Sequence, residues 1–237
     1  MAVKRSRRWI PGQRGALTLV AVALLCAAAW QIARGPLLTI ATVHVRGVTG
    51  ADADAVRTAA ALTGQRMFAV DSGAAARRVE TLPWIARATV RVGLLRSATI
   101  TVVPRTPIGV WRVGGVNYLV AADGTIFGTT DDAGSLPVVD ATGDANARIG
   151  ARIDPEPLRV AERISEFASA HLQQTIARIS YSHDAGITVV AGKGMQIEFG
   201  DGDGLDYKLA VWQAVLHAVR PGELHVLDLR SSRPYYR

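Results

Sequence analysis

The stretch Asp71–Val103, DSGAAARRVETLPWIARATVRVGLLRSATITVV, changes its apolar period halfway along. In its first third Ala75, Val79 and Leu82 recur at i, i+4 and i+7, the spacing of one face of a helix that runs from Asp71 to about Leu82 and that Pro83 closes. Beyond Pro83 the period drops to two. Ala88, Val90 and Val92 fall on one side of a strand over Ala88–Val92, and a second strand follows over Ala98–Val103 before Pro104 and Pro107 break the pattern.

Working outward, Thr39–Arg46 reads as a strand that stops at Gly47 and Gly50. Asp52 then caps a helix through Leu62, with Ala55, Val56, Ala59 and Leu62 on one face and Gly64 ending it. The order strand, helix, helix, strand, strand predicts a compact α+β layer: an antiparallel hairpin, the first strand at its edge and both helices on one face. Such a layer leaves an open edge on which another chain can add a strand.

Further upstream, Ala16–Ala33 contains no charge, and the fifteen residues before it carry Lys4, Arg5, Arg7, Arg8 and Arg14 with no acid. As a helix this run is roughly 27 Å long, near the lower limit for a bilayer core. The expectation is a basic cytoplasmic tail over residues 1–15, a transmembrane helix over 16–34 in contact with lipid, and everything after it on the outer side. Trp30 suits an interfacial anchor. A cleavable signal peptide, with Ala27, Ala28 and Ala29 as the cleavage region, is the alternative; the run is longer than the usual 7–15-residue signal core. Lipoprotein processing is disfavoured because Leu25, not a small residue, precedes Cys26.

The formal net charge of +7 owes five positives to the tail, which leaves 22 basic against 20 acidic residues beyond it. Basicity here therefore signals topology and lipid attraction, and nucleic-acid binding is not expected. Cys26 is the only cysteine, so no disulfide is available to the exported part.

Past Pro107, strands are expected over Gly109–Val113, Asn117–Val120 and Thr125–Phe127, with Asp123 and Gly124 in the turn between the last two. Residues 128–152 read mostly as loop around the short apolar run Leu136–Val139. Asp154 and Pro155 open a helix with Val160, Ile164, Phe167 and His171 on one face. Strands follow over Ile176–Ser182, Ile187–Ala191 and Met195–Phe199, the last two joined by Gly192, Lys193 and Gly194. A helix over Leu205–Val219 carries the stripe Leu205, Leu209, Trp212, Leu216 and Val219, Pro221 and Gly222 end it, and a final strand covers Leu224–Arg230.

No catalytic or metal-binding constellation emerges. His44, His171, His183, His217 and His225 include no pair at ligand spacing on one element, and a Gly-x-Ser-x-Gly elbow is absent. Asp201, Asp203 and Asp206 miss the calcium-loop template, since Leu205 takes the third ligand position, and read instead as a turn opening the next helix. Trp111 and Trp212 read as core aromatics, and Trp84 as the anchor of the strand after Pro83.

Val43, Val45 and Gly47, the block Leu82-Pro83-Trp84-Ile85-Ala86-Arg87-Ala88-Thr89-Val90, and Arg105-Thr106-Pro107 leading to Trp111 stand in a fixed order along the chain. Tyr118-Leu119-Val120, Asp123-Gly124-Thr125-Ile126-Phe127, Leu136-Pro137 and Leu227-Asp228-Leu229-Arg230 continue it. In these blocks and their order the string resembles the FtsQ/DivIB family of bacterial cell-division proteins. Two positions depart from the family: Leu94-Leu95 where a turn proline is usual, and Pro104 where a Glu usually precedes the Arg.

The resemblance implies a POTRA domain over residues 38–106, a mixed β-sheet domain with two main helices over 107–230, and a tail over 231–237. It implies a non-enzymatic divisome scaffold without cofactor or small-molecule substrate, single-pass in the plasma (inner) membrane at the division septum, that recruits FtsB-like and FtsL-like membrane proteins. The family's docking edge for FtsB carries over to Val226, Leu227, Asp228, Leu229 and Arg230, with Pro234, Tyr235 and Tyr236 just beyond. On this expectation a charge at Leu227 or Tyr235 weakens partner binding without unfolding the domain. A POTRA-type adaptor for protein transport or outer-membrane assembly is the alternative, and an exported cell-wall enzyme the remoter one.

Overall fold

A computed structural model of the chain describes residues 13–34, 38–93, 95–143, 147–192, 194–219, 224–231 and 233–237. Helix α1, Gln13–Arg34, is continuous over 22 residues. Its described side chains are those of 15, 18–27 and Trp30, and Leu19, Val20, Val22, Leu24, Leu25 and Trp30 are all exposed. Among the described residues no helix is long and apolar enough to cross a membrane; of the expected 16–34 span, the side chains of 16, 17, 28, 29 and 31–34 lie outside them. The expected tail over residues 1–15 lies outside the described residues up to position 12.

The chain forms two compact units, residues 1–81 with 87–103, and residues 82–86 with 104–237. In the first, β1 (Thr42–Arg46), α2 (Gly50–Ala60), α3 (Ser72–Glu80), β2 (Ile85–Val92) and β3 (Ser97–Pro104) appear in the expected order. Strand β3 is central, with β1 parallel to it and β2 on its other side, so β1 is an edge. Gly93 N–H donates to Ser97 O (2.8 Å) and closes the β2–β3 hairpin. Val56, Ala60, Ala75 and Val79 of the helices and Ala88, Val90, Ala98, Ile100 and Val102 of the strands are all buried. Each fully buried Val or Ile contributes roughly 1.5–3 kcal/mol by leaving water.

Three local expectations are corrected. Helix α2 starts after Thr49 rather than at Asp52, which lies inside its first turn, and the buried stripe is Ala53, Val56 and Ala60. It ends at Ala61, whose left-handed φ of 50° turns the chain before Gly64 is reached. Helix α3 uses Asp71 as its N-cap, the carboxylate accepting from Ala74 N–H (2.9 Å), and stops at Glu80, so Leu82 is not part of it.

The second unit is built on a nine-stranded mixed sheet. In chain order its strands are β4 (Pro107–Val113), β5 (Val116–Ala121), β6 (Ile126–Thr129), β7 (Val138–Ala141), β8 (Ile176–Ser182), β9 (Gly186–Ala191), β10 (Met195–Gly200), β11 (Val226–Asp228) and β12 (Tyr235–Tyr236). In space they run β12-β11-β10-β9-β8-β7-β4-β5-β6. The segment 128–152, expected to be loop, contains β7, which lies near the middle of the sheet and parallel to both β4 and β8. Four residues are too few to show a period in the sequence; pairing on both sides is what makes them a strand.

Parallel neighbours require long crossovers; the one from β4 to β7 contains β5 and β6, and the two helices supply the others. Helix α4, Glu156–Phe167, joins β7 to β8, and α5, Leu205–Ala218, joins β10 to β11. Their apolar faces share one core with Trp111, Ile179, Val189, Ile197 and Phe199. Past Ala168 the first helix widens into a π turn, Ala168–Leu172, which carries His171 off the buried stripe into solvent. Helix α5 buries Leu205, Leu209 and Trp212 as expected and also Lys208; Leu216 is half-buried and Val219 lies past its end. Its expected terminators, Pro221 and Gly222, lie outside the described residues.

Several sequence blocks that carried the family resemblance meet in one corner of this unit. Arg105 donates from Nε to Pro83 O (2.9 Å) and from its terminal nitrogen to Asp123 (2.7 Å), and its backbone N–H donates to Trp84 O (2.8 Å). Burial works to raise the pKa of Asp123, but hydrogen bonds from Arg105 and Thr125 outweigh it and hold the carboxyl below its usual range.

Candidate partner interface

The eight residues singled out for docking come together at one end of the nine-stranded sheet, but the structure divides them. The expected strand Leu224–Arg230 is only three residues long as a paired element, and its outer side is not free. The tail turns back and lays β12 against it, with Leu227 opposite Tyr236 and Asp228 opposite Tyr235. On the inner side β11 runs parallel to β10, with Ile197 opposite Leu227 and Glu198 opposite Asp228.

Burial follows from this placement. Leu227 and Leu229 are sealed in the core and Asp228 is buried beside them; Val226 and Pro234 are half-buried. Arg230 is exposed, and so are Tyr235 and Tyr236, at 53% and 56%. A charge at Leu227 would therefore be buried without a partner and would destabilise the unit, contrary to the expectation from sequence. Within the expected tail over 231–237, Tyr235 and Tyr236 supply the rim of the sheet.

The backbone shows which groups remain available. Val226 and Arg237 exchange both hydrogen bonds, Arg237 N–H to Val226 O (3.1 Å) and Val226 N–H to Arg237 O (3.0 Å). In an antiparallel pair such exchanging positions alternate with non-exchanging ones, so Tyr236, one residue along, directs its N–H and C=O away from β11. Those groups form the open edge. Side chains alternate as well: Tyr236 lies on the core face with Leu227, and Tyr235 on the opposite face with Asp228.

A charged cluster stiffens the strand beneath. Arg230 donates from Nε (3.1 Å) and from a terminal nitrogen (2.6 Å) to the two oxygens of Asp228, and reaches Glu198 at 2.7 Å. Its own N–H closes a tight turn onto Asp228 (2.9 Å). The hydrogen bond from Arg230 holds the Asp228 carboxyl below its usual range despite burial, and Arg230 is raised in return. Bidentate geometry of this kind orients both partners. The sequence named Asp228 and Arg230 but not Glu198, whose role depends on the β10–β11 register.

Three of the five histidines, His171, His217 and His225, line one cleft of about 740 Å³ between the π turn, the end of α5 and the start of β11. Among the described residues no group of three His, Cys, Asp or Glu side chains is close enough to hold a metal ion. The acidic turn before α5 serves the fold. Lys208 Nζ is drawn inward to Phe199 O (2.8 Å), Asp201 O (3.0 Å) and Asp201 Oδ1 (3.0 Å), and Asp206 pairs with Arg163 on α4. That Lys208 hydrogen bond is the main reason the Asp201 carboxyl is held below its usual range.

Comparison with known proteins agrees with this architecture. Residues 38–105 match the family described as POTRA domain, FtsQ-type, and residues 109–230 match Cell division protein FtsQ/DivIB, C-terminal. The protein named Cell division protein FtsQ from Chloroflexus aurantiacus is 26% identical over 215 residues, 90% of this chain and 78% of the relative. Its namesake from Chloroflexus aggregans is 26% identical over 236 residues, 98% and 86% of the two chains. A third, from Corynebacterium glutamicum, is 32% identical over 92 residues, 38% and 40%. With both of its units matched in order, the chain belongs to the FtsQ/DivIB family of cell-division proteins.

Proposed function

We propose that the chain is a single-pass membrane scaffold of the divisome that catalyses nothing and recruits FtsB-like and FtsL-like proteins at the septum through its extracytoplasmic units. The observation that carries this reading is the outer edge of β12, the last strand in the sheet order, where Tyr236 directs its backbone groups away from β11 and both tyrosine side chains are exposed. A partner strand added there gains backbone hydrogen bonds, and aromatic side chains of this kind dominate interface energetics. Tyr235, Tyr236 and Pro234 form the docking surface together with Arg230. Val226, Leu227, Asp228 and Leu229 act from beneath by holding β12 in place.

The anchor belongs to the same proposal. The uncharged run 16–33, the basic residues before it and the exposed apolar side chains of α1 support a membrane helix over 16–34, a cytoplasmic tail over 1–15, and outer domains over 38–106 and 107–230. Confinement to one surface raises the effective concentration of partners.

The test is a titration of the full chain, in nanodiscs, with the extracytoplasmic segment of an FtsB-like protein from the same cell. Tyr235→Ala with Tyr236→Ala is expected to weaken binding at least about tenfold, equivalent to roughly 1.4 kcal/mol. Unchanged affinity with an unchanged melting temperature would overturn the docking edge. A fluorescent fusion spread evenly around the membrane of normally dividing cells would overturn the septal role.

A further inference from the structure

Two apolar side chains of the first unit face solvent more fully than any other large apolar residue described. Phe68, in the short 3-10 turn Met67–Ala69, is 82% exposed, and Leu95, in the turn between β2 and β3, is 90% exposed. They belong to one end of the unit, because both loops are tied to the segment Thr39–Thr42. On one side Thr39 bridges Arg66, Ile40 N–H donates to Gln65 O (2.9 Å), and Gly64 N–H donates to Ile40 O (2.9 Å). On the other, Ala41 and Thr42 N–H groups donate to Arg96 O (2.8 and 3.2 Å), and Arg96 Nε donates to Thr39 O (3.2 Å).

That segment is where the chain arrives from α1. Arg34 and Thr39 are five peptide steps apart, which spans at most roughly 18 Å in any conformation. If α1 is the membrane anchor proposed above, a reading on which this inference rests, Thr39, to which both loops are tied, is held within that distance of the helix end at Arg34. The charge of the tip bearing Phe68 and Leu95 suits a place near the bilayer. Residues 64–70 and 93–96 include Arg66 and Arg96 and no carboxylate, and among the described residues the one ion pair of this unit joins Arg57 to Asp54 elsewhere. Apolar side chains flanked by arginines match the two layers of a lipid interface, acyl boundary and phosphate.

We propose that this tip rests in the headgroup layer of the same membrane, with Phe68 and Leu95 entering the interface and Arg66 and Arg96 meeting the phosphates of anionic lipid. The tether makes the contact nearly intramolecular, so two side chains and two charges suffice where a free protein would need more. The unit is thereby held in one orientation to the bilayer.

The experiment uses the full chain carrying Cys26→Ser, reconstituted in nanodiscs containing phosphatidylglycerol, with a nitroxide on one introduced cysteine at a time. Phe68→Cys and Leu95→Cys labels are expected to show oxygen accessibility raised several-fold relative to a water-soluble nickel chelate. Thr49→Cys, at the far end of β1, should show the water-exposed ratio. A label at Ala69→Cys should lose its shift when Phe68→Glu and Leu95→Glu are added. Ratios at 68 and 95 equal to that at 49 would overturn the proposal, and this includes the case of a protein partner for the tip, which would leave both labels in water. A chain that fails to migrate with the discs would overturn the anchor reading and this inference together.

Discussion

Leu227 lies directly opposite Tyr236 across the β11–β12 pair, one sealed in the core and the other more than half exposed. Two residues that share a rung thus have different tasks, the first holding the strand down and the second forming the rim. Leu227→Asp is expected to lower stability by about 3–5 kcal/mol, since it removes core contacts and buries an unpaired carboxylate. Tyr236→Ala should change stability by no more than about 1 kcal/mol. Urea midpoints of the two variants check the contrast; equal losses would mean that Tyr236 is a core residue.

Lys208 is the polar pin of the second unit. Its ammonium joins the end of β10 to the start of α5 through three acceptors, and Lys208→Met leaves two carbonyls and a carboxylate without it. The expected loss is about 1–3 kcal/mol by chemical denaturation. A variant as stable as the parent would show that water replaces the ammonium without loss.

Gly124 is demanded by its surroundings. Its φ is +81°, and a Cβ there would lie 2.0 Å from the carbonyl oxygen of Ile153, whose own N–H donates to Gly124 O (2.9 Å). Gly124→Ala should therefore cost about 3 kcal/mol or more, from strain and from loss of the β5–β6 turn. A melting temperature within a degree or two of the parent's would contradict this.

Asp228 makes the rim sensitive to acid. Arg230 keeps its folded pKa below the unfolded value, so its contribution to stability is complete above the unfolded value and disappears as pH falls through the lower, folded one. Stability should thus decline below the ordinary carboxylate range, and Asp228→Asn should flatten that decline while lowering stability at neutral pH. Denaturation midpoints at neutral and strongly acid pH measure both; an unaltered slope in the variant would assign the acid sensitivity to Asp71, Asp123 and Asp201 instead.

Element order was legible wherever a segment was long enough to repeat. The alternation in Ala88–Val92 and the stripe Leu205, Leu209 and Trp212 appear in the structure where the spacing puts them. Caps and short strands were harder to read. Asp52 is a good cap residue that the fold bypasses in favour of Thr49, and Ala61 takes a left-handed conformation normally left to glycine. Strand β7 has four residues, and only pairing with β4 and β8 reveals it.

The interface was half legible. Its eight residues were named from sequence, but their order from core to rim was not, because burial depends on which strand lies outside which. Glu198 went unnamed, since its meeting with Arg230 is created by the β10–β11 register.

By itself the sequence determined the element order of residues 38–104 and the family, because local periods and blocks in fixed order survive without knowledge of contacts. Only the tertiary structure decided that β12 folds back over β11, that Tyr235 and Tyr236 form the open rim, and that Phe68 and Leu95 share one tip. Those facts are pairings between segments distant in sequence, formed by hydrogen bonds and packing that no local period encodes.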